Sequence, residues 1–350
     1  MFSLERDHDT ICAVATAPGV GGIAVIRLSG SIADQVIRKS CPFIPNPTES
    51  HRVYYGFLID PISSEEVDEV LVTYFQKGKS FTNEETYEIS CHGGQVVSQN
   101  ILDILIQSGA RLAEPGEFTY RAFMSGRIDL VQAESVLQLI DSQSKKSARL
   151  SLRQLKGQLS NQLRVIETEM TEILAHLEAN IDFAAEDIEI KSNLYLSEKA
   201  SAIETQLAEL LKTYQQGRII NSGLKVALIG LPNVGKSSLM NTLVGEERAI
   251  VTDVPGTTRD IVESRTLING VVVEFVDTAG LRSTEDKVEK LGIQRTQVAL
   301  READLVFVVV DLACPALPEL QYFDGLDDQQ FILVGNKLDL LPGGKGPRHS

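Results

Sequence analysis

The stretch Lys225-Val-Ala-Leu-Ile-Gly-Leu-Pro-Asn-Val-Gly-Lys-Ser237 decides the fold of the second half of the chain. Its first five residues are a short apolar run that predicts a buried strand. Residues Gly230 to Ser237 then match the pattern Gly, four residues, Gly-Lys-Ser, whose backbone N–H groups surround phosphate oxygens while the Lys ammonium reaches the β and γ phosphates. A helix is predicted to follow from Ser238. The order strand, loop, helix indicates a nucleotide-phosphate site in an α/β domain.

A second motif, Asp277-Thr-Ala-Gly280, follows the strand-forming run Val271 to Val276. Asp277 is therefore expected at the carboxyl end of a strand beside the phosphates, where it would hold Mg2+ through water. The N–H of Gly280 is expected to face the γ phosphate.

A third motif, Asn336-Lys-Leu-Asp339, follows the run Phe331 to Val334 in the same way. Asp339 would accept two hydrogen bonds, from N1–H and the exocyclic amine of guanine, which adenine does not supply. Asn336 and Lys337 would brace that pocket. Together the three motifs predict a GTP-hydrolysing switch.

The group that activates the attacking water is not obvious from the residues alone. Many GTPases place a Gln directly after Asp-x-x-Gly, but here that residue is Leu281, which cannot orient water. The acidic residues Glu285, Asp286 and Glu289 are the nearest candidates. Between the first two motifs, the turn-forming loop Thr252 to Asp260 could fold over the γ phosphate, with Thr258 the favoured Mg2+ ligand.

The opening 120 residues or so predict an α+β domain. Short alternating strands such as Gly22 to Arg27 and Val70 to Phe75 mix with helices such as Gln95 to Gln107, and glycine and proline separate them. Pro18 to Gly22 lies between two strand-like runs, which disfavours a dinucleotide fingerprint.

From about Arg127 to Tyr214 the pattern is helical, with little glycine or proline. One apolar stripe predicts a single long helix with a bundle-core face. Its members are Leu152, Leu155, Leu159, Leu163, Ile166, Met170, Ile173 and Leu177. After the acidic break Asp182 to Ile190, a second stripe predicts another helix through Ile203, Leu207, Leu210 and Tyr214.

Charge and cysteine content exclude several classes. The net charge of -15 argues against broad affinity for nucleic acid. A local basic patch stays open around Lys145, Lys146, Arg149 and Arg153 on a predicted helix, for which a solvated helix face is the favoured interpretation. The four cysteines show neither metal-ligand spacing nor disulfide density, which fits a reducing cytosol. No targeting segment or apolar run of membrane-spanning length is present in the sequence, so a cytoplasmic location is expected.

The sequence resembles the MnmE (TrmE) family of tRNA-modification GTPases from about Asp9 to about Leu340. Besides the three motifs, four N-terminal signatures carry the likeness: Pro18-Gly-Val-Gly-Gly-Ile-Ala-Val-Ile-Arg-Leu-Ser-Gly30, Ser80-Phe-Thr82, Cys91-His-Gly-Gly94 and Glu114-Pro-Gly-Glu-Phe-Thr119. The resemblance implies a multidomain α/β protein. Its expected parts are an α+β folate-binding and dimerisation domain at 1–126, the first part of a helical domain at 127–217, and a Ras-like P-loop GTPase domain with a mostly parallel sheet at 218–350.

The resemblance also implies a GTPase activated by K+ and by dimerisation of its G domains, and it assigns roles to individual residues. Glu289 matches the family's catalytic glutamate. The expected K+ ligands are Asn233 and the backbone of Thr252, Val254 and Thr257, and the expected Mg2+ ligands are Ser237 and Thr258. The residues expected to contact GTP are Asn233, Val234, Gly235, Lys236, Ser237, Ser238, Thr252, Asp253, Val254, Pro255, Gly256, Thr257, Thr258, Asp277, Thr278, Ala279, Gly280, Asn336, Lys337 and Asp339.

For the N-terminal domain the resemblance implies a 5-formyl-tetrahydrofolate-type one-carbon donor, with Arg27, Glu88 and Arg127 at the folate-contacting positions. It further implies a homodimer that joins an MnmG-type flavoprotein in a heterotetramer, acts on C5 of the tRNA wobble uridine, and leaves tRNA mainly to the partner. Relatives continue beyond the position of Ser350, so a truncated chain without the last guanine loop, the closing helices and the Cys-containing tail is expected. Two other functions stay open: a ribosome- or RNA-particle assembly switch, and a folate-dependent one-carbon transferase with a regulatory G domain.

Overall fold

The computed structural model describes residues 9–182, 192–246, 263–277, 298, 300–314 and 330–341. Contacts divide the chain into two compact units, Met1–Val136 and Leu137–Ser350. The predicted domain boundaries at 126/127 and 217/218 remain predictions. Each unit is described by itself.

The first unit is built on a six-stranded sheet with the order β3-β4-β5-β2-β1-β6. Its strands are β1 Ile11–Val14, β2 Ile23–Ser29, β3 Val53–Ile59, β4 Glu66–Phe75, β5 Thr86–His92 and β6 Arg111–Leu112. All neighbours pair antiparallel except β1 and β6, which run parallel. The predicted strand at Val70 to Phe75 is thus confirmed as part of β4, and the one at Gly22 to Arg27 is confirmed from Ile23, where β2 begins.

Two helices, α1 Ala33–Ser40 and α2 Gln95–Gln107, contribute to the core that covers one face of this sheet. The alternation of β2 explains which side is covered, because Ile26 and Leu28 are fully buried in that core while Arg27 points to the opposite face. The opposite face leaves apolar side chains exposed on β3 and β4, among them Tyr55 and Leu71.

A third helix, α3 Glu117–Met124, is fastened by buried charges. Arg121 and Glu117 are each only 4% exposed and form an ion pair of 3.0 Å. Arg121 also donates to Glu84 at 3.1 Å, and Arg111 donates to both Glu117 oxygens at 2.7 and 3.0 Å. Because a buried ion needs such partners, this network fixes α3 against strand β6, which contains Arg111, and against the loop before β5, which contains Glu84.

Four helices follow: α4 Leu130–Ile140, α5 Lys145–Leu155, α6 Gln158–Asp182 and α7 Asn193–Ser222. The predicted single helix from Leu152 to Leu177 is wrong, because Gly157 adopts φ 81° and separates α5 from α6. The bundle-core interpretation of the stripe is also only partly correct: Ile166 is 5% exposed, but Met170 is 54% exposed. The predicted break from Asp182 to Ile190 lies almost wholly outside the described residues.

The second unit also contains a five-stranded sheet of order β11-β10-β7-β9-β8. Its strands are β7 Leu224–Ile229, β8 Glu263–Ile268, β9 Val271–Asp277, β10 Leu305–Asp311 and β11 Gln330–Asn336, and helix α8 Lys236–Glu246 follows β7. Only the β8–β9 hairpin pairs antiparallel. The expected mostly parallel sheet is therefore present, and the carboxyl ends of four strands lie along one edge.

None of the helices within the described ranges is long and apolar enough to span a membrane. Cys12, Cys41, Cys91 and Cys314 are free thiols, and the first three are buried.

Candidate functional site: a phosphate loop at the edge of the parallel sheet

The phosphate loop begins where the central strand β7 ends. Val226 to Ile229 are buried between the parallel neighbours β9 and β10, which holds the start of the loop in place. A Cβ on Gly230 would lie 2.3 Å from the carbonyl oxygen of Val309, so only glycine allows β7 to turn so close to β10. Asn233 lies in the left-handed region at φ 62°, a conformation that Asn tolerates well, and its side chain is exposed.

Lys236 opens helix α8 and is only 5% exposed. Its Nζ donates to the carbonyl oxygens of Gly230 and Leu231, each at 3.0 Å. The ammonium is therefore held over the loop rather than extended into solvent. Ser237 and Ser238 follow in the first turn of α8, where the positive end of the helix dipole favours an anion.

Asn336 joins the third motif to the loop. Its Nδ2 donates to the carbonyl oxygen of Val234 at 2.8 Å. A Cβ on Gly235 would lie 2.1 Å from the same Nδ2, and Gly235 has φ 99°, so glycine is required there on both grounds. The strand end that is expected to read the base is thereby tied directly to the loop that is expected to hold the phosphates.

Lys337 is oriented by a residue that the sequence reasoning missed. It adopts φ 59°, and its Nζ contacts Oδ2 of Asp311 at 2.7 Å. The hydrogen bond from Lys337 is the main cause that lowers the pKa of Asp311, so this carboxylate stays charged. Asp339 lies in a short 3-10 helix, Leu338–Leu340, and is exposed.

Asp277 ends β9 and is paired in register with Leu228 of β7, beside the start of the loop. The remaining predicted GTP and metal residues, Thr252 to Thr258 and Thr278 to Gly280, lie outside the described residues, as do Glu289 and its rivals Glu285 and Asp286. Their roles stay predictions.

In the first unit the structure brings Arg27 and Glu88 together. Nε and Nη2 of Arg27 donate to Oε1 of Glu88 at 3.0 and 2.6 Å, on the sheet face away from α1 and α2. The guanidinium also lies 5.6 Å from the ring centre of Phe81 and 5.5 Å from that of Phe118. Arg127 is exposed after α3, and within the described ranges no contact joins it to Arg27 or Glu88.

Phe81, Phe118 and Asp311 are the residues that sequence reasoning missed. Both phenylalanines lie inside the N-terminal signatures Ser80 to Thr82 and Glu114 to Thr119, which carry the family resemblance. Asp311 follows the apolar run Leu305 to Val310, which is the same strand-end signal that identified Asp277.

A phosphate loop after the central strand of a parallel sheet, bonded to an Asn-Lys-x-Asp motif two strands away, defines a P-loop GTPase, a hydrolase of GTP. A family model for the GTP-binding protein TrmE N-terminus matches residues 10–127, and one for the MnmE helical domain matches residues 130–329. The chain belongs to the MnmE family of tRNA modification GTPases.

Individual relatives agree with the family models. The tRNA modification GTPase MnmE of Bdellovibrio bacteriovorus is 51% identical over 347 residues, which cover 99% of this chain and 72% of that protein. The MnmE of Bacillus subtilis is 43% identical over 340 residues, which cover 95% of this chain and 74% of that one. Among solved structures, the G domain of the T. maritima FeoB iron transporter is 30% identical over 33% of this chain and 73% of that chain, but its TM-score of 0.24 supports no conclusion about this fold.

Proposed function

We propose that the chain hydrolyses GTP in order to drive modification of C5 of the wobble uridine in tRNA. The observation that carries the hydrolase part is the buried Lys236 ammonium held over the loop carbonyls at the head of α8. A phosphate entering the loop would replace those two carbonyls as the partner of Nζ, a stronger charge-assisted interaction. The tRNA part rests on membership of a family whose curated relatives bear that name.

In phosphoryl transfer we expect the chain to position GTP and the attacking water and to offset the negative charge on the phosphates. Loop N–H groups and Lys236 would hold the β and γ phosphates, and Glu289 would orient the attacking water. Ser237 and Thr258 would hold Mg2+, which supplies positive charge beside the phosphates when it is bound. Asn233, with the backbone of Thr252, Val254 and Thr257, would hold K+. The loop supports this fit, since Nζ of Lys236 already lies 3.0 Å from the loop carbonyl oxygens of Gly230 and Leu231.

The test of the hydrolase is the GTPase rate in K+ and in Na+ at equal ionic strength. We expect a higher rate in K+, loss of activity in Lys236→Ala, and little change in the matched control Lys225→Ala, whose side chain is 45% exposed. Equal rates in the two salts would remove the role of Asn233, and an active Lys236→Ala would remove that of the loop.

A Glu289→Ala variant separates the proposal from a transferase with a merely regulatory G domain. If hydrolysis drives the chemistry, this variant loses GTP turnover and tRNA modification together. Persistent modification without hydrolysis would favour the transferase.

For the N-terminal unit we propose a one-carbon folate such as 5-formyl-tetrahydrofolate, bound near Arg27 and Glu88. An Arg suits the glutamyl carboxylates and a Glu suits the donor edge of the pterin, while Phe81 and Phe118 offer ring faces. Arg27→Ala is expected to weaken binding of 5-formyl-tetrahydrofolate in a calorimetric titration. Arg52→Ala is the control, because it removes an exposed pair with Glu49 in the same unit. Equal affinities would argue against this site.

The homodimer and the MnmG-type flavoprotein partner rest on the resemblance alone. Light scattering of the purified chain measures the first. Copurification with a flavin-containing protein, rather than with ribosomal subunits, measures the second and separates the proposal from an assembly switch.

A further inference from the structure

Helix α5 lies in a segment with a local excess of positive charge. Residues 142–166 carry six Lys and Arg and no Asp or Glu. The whole chain has 48 acidic residues in 350, so an average stretch of that length would hold about three. The segment therefore carries a local excess of positive charge in a chain whose net charge is -15.

Helix α5 gathers five of these cations on one side. They are Lys145, Lys146, Arg149, Arg153 and Lys156, the last being the residue that caps the helix. At about 100° per residue they fall within an arc of about 100°, and at about 1.5 Å per residue they extend over about 16 Å. All five are exposed. We call this surface the α5 basic face.

The opposite side of α5 is fixed to the rest of the second unit. Ser147 and Ser151 are buried there, and Ser147 Oγ lies 3.4 Å from Oδ1 of Asn221 on α7. Ser144 caps the helix by accepting the N–H of Ser147 at 3.0 Å. The basic face is thus held outward on a rigid element, which lowers the ordering entropy lost when a ligand binds.

The charges on this face are not neutralised by any ion pair among the described residues. In the part of the chain that the structure describes, none of the five forms an ion pair, whereas Arg27, Arg111 and Arg121 are all paired with carboxylates. Like charges four residues apart, such as Lys145 with Arg149 and Arg149 with Arg153, destabilise a helix by a few tenths of a kcal/mol per pair. A bound polyanion would offset that repulsion.

We propose that the α5 basic face binds the phosphate backbone of RNA. This rests on the proposed function, which makes tRNA the substrate. A single small anion needs only two or three donors, but a row of cations about 16 Å long fits a chain of regularly spaced phosphates. Lys and Arg that contact phosphates position the RNA without reading its bases. The net negative charge elsewhere would confine RNA to this face.

The experiment measures binding of an unmodified tRNA transcript to the full chain by fluorescence anisotropy as a function of salt. The test variant is Lys145→Gln, Arg149→Gln, Arg153→Gln. The matched control is Lys77→Gln, Lys79→Gln, Lys212→Gln, three exposed lysines outside α5 with the same change in charge. We expect the α5 variant to bind about tenfold or more weakly at low salt, with the salt-dependence slope smaller by about two to three. The control is expected to stay within about twofold of the wild type.

Equal weakening in both variants would mean that only overall charge matters and would overturn the proposal, as would unchanged binding in the α5 variant. A third outcome would overturn the proposal in favour of a lipid surface: the wild-type chain binds phosphatidylserine-containing vesicles, and the α5 variant loses that binding but still binds tRNA. GTP turnover without RNA is measured on the same samples and is expected to be unchanged by the α5 substitutions. A wild-type chain that binds tRNA through α5 but never hydrolyses GTP would sink the proposed function alone.

Discussion

Gly235 is the residue at which the phosphate loop meets the Asn-Lys motif. Gly235→Ala would place a Cβ 2.1 Å from Nδ2 of Asn336 in a backbone conformation of φ 99°. The hydrogen bond from Asn336 to Val234 would be displaced. We expect GTP affinity to fall about tenfold or more, measured by titration with a fluorescent GTP analogue.

Gly245 offers the matched control, because it lies within α8, the helix that follows Gly235. No atom lies within 4 Å of the position that a Cβ on Gly245 would take. Gly245→Ala is expected to keep GTP affinity and to stabilise α8 by about 0.5–1 kcal/mol. Wild-type affinity in Gly235→Ala would show that Asn336 tolerates displacement.

Residue positions in this site could be predicted where the motif itself encodes a contact. Lys236 and Asn336 belong to such motifs, and the structure places both at the loop. The contact between Lys337 and Asp311 could not be predicted, because it depends on β10 and β11 being neighbours in the sheet. Strand order is a property of three-dimensional packing, so no local pattern reports it.

Helix α3 depends on the charge of Glu117. Burial alone raises the pKa of Glu117, but donors from Arg111, the Glu114 N–H and Arg121 outweigh it and lower the pKa to about 2. The folded-state pKa is thus below that of the unfolded chain, and the stabilisation is present above about pH 4.5 and lost as the pH falls towards 2. We expect Glu117→Gln to lower the free energy of unfolding by about 3 kcal/mol at pH 7, and the difference to shrink in urea titrations towards pH 3.

Glu49→Gln is the comparison for this pH series. Glu49 pairs with Arg52, but its side chain is 70% exposed. The expected change is within about 0.5 kcal/mol at every pH. A Glu117→Gln deficit that stays constant with pH would point to lost packing rather than to a lost charge.

The break between α5 and α6 depends on Gly157 at φ 81°. Gly157→Ala forces a residue with a Cβ into the left-handed region of backbone conformation. We expect it to lower the free energy of unfolding by about 1 kcal/mol. Gly217 lies inside α7, and no atom lies within 4 Å of the position that a Cβ there would take. We expect Gly217→Ala to raise the free energy of unfolding by about 0.5–1 kcal/mol. Chemical denaturation compares the two variants. A neutral Gly157→Ala would mean that the junction relaxes into a continuous helix.

Helices with a regular spacing of apolar residues could be predicted from the sequence, but the breaks between consecutive helices could not. The helix Gln95–Gln107 was predicted with its observed bounds, because turn residues and apolar spacing agree there. The stripe from Leu152 to Leu177 keeps its spacing across Gly157, so periodicity alone could not reveal that the backbone changes direction. Nor does periodicity report exposure, since Met170 fits the stripe and remains open to solvent.

At the scale of the molecule, Asp304 ties the end of the helices to the start of the second sheet. Its Oδ2 accepts the N–H of Lys225 at 2.9 Å, and Oδ1 accepts a hydrogen bond from Arg218 at the end of α7. Asp304→Ala leaves the Lys225 N–H without its acceptor. We expect it to lower the free energy of unfolding, followed by thermal unfolding, by about 1–3 kcal/mol. Glu302→Ala removes only an exposed contact of 3.6 Å to Lys225 and is expected to change little. Equal losses would show that Asp304 acts through general charge.

Helix α4 has a practical consequence for anyone who divides this chain for expression. The contact boundary between Val136 and Leu137 falls inside Leu130–Ile140, so a cut there would sever continuous hydrogen-bonded turns and leave unsatisfied amides and carbonyls at both new ends. Gly126 has φ 71° and lies in the turn before this helix. An expressed fragment that begins just after Gly126 would contain the complete α4.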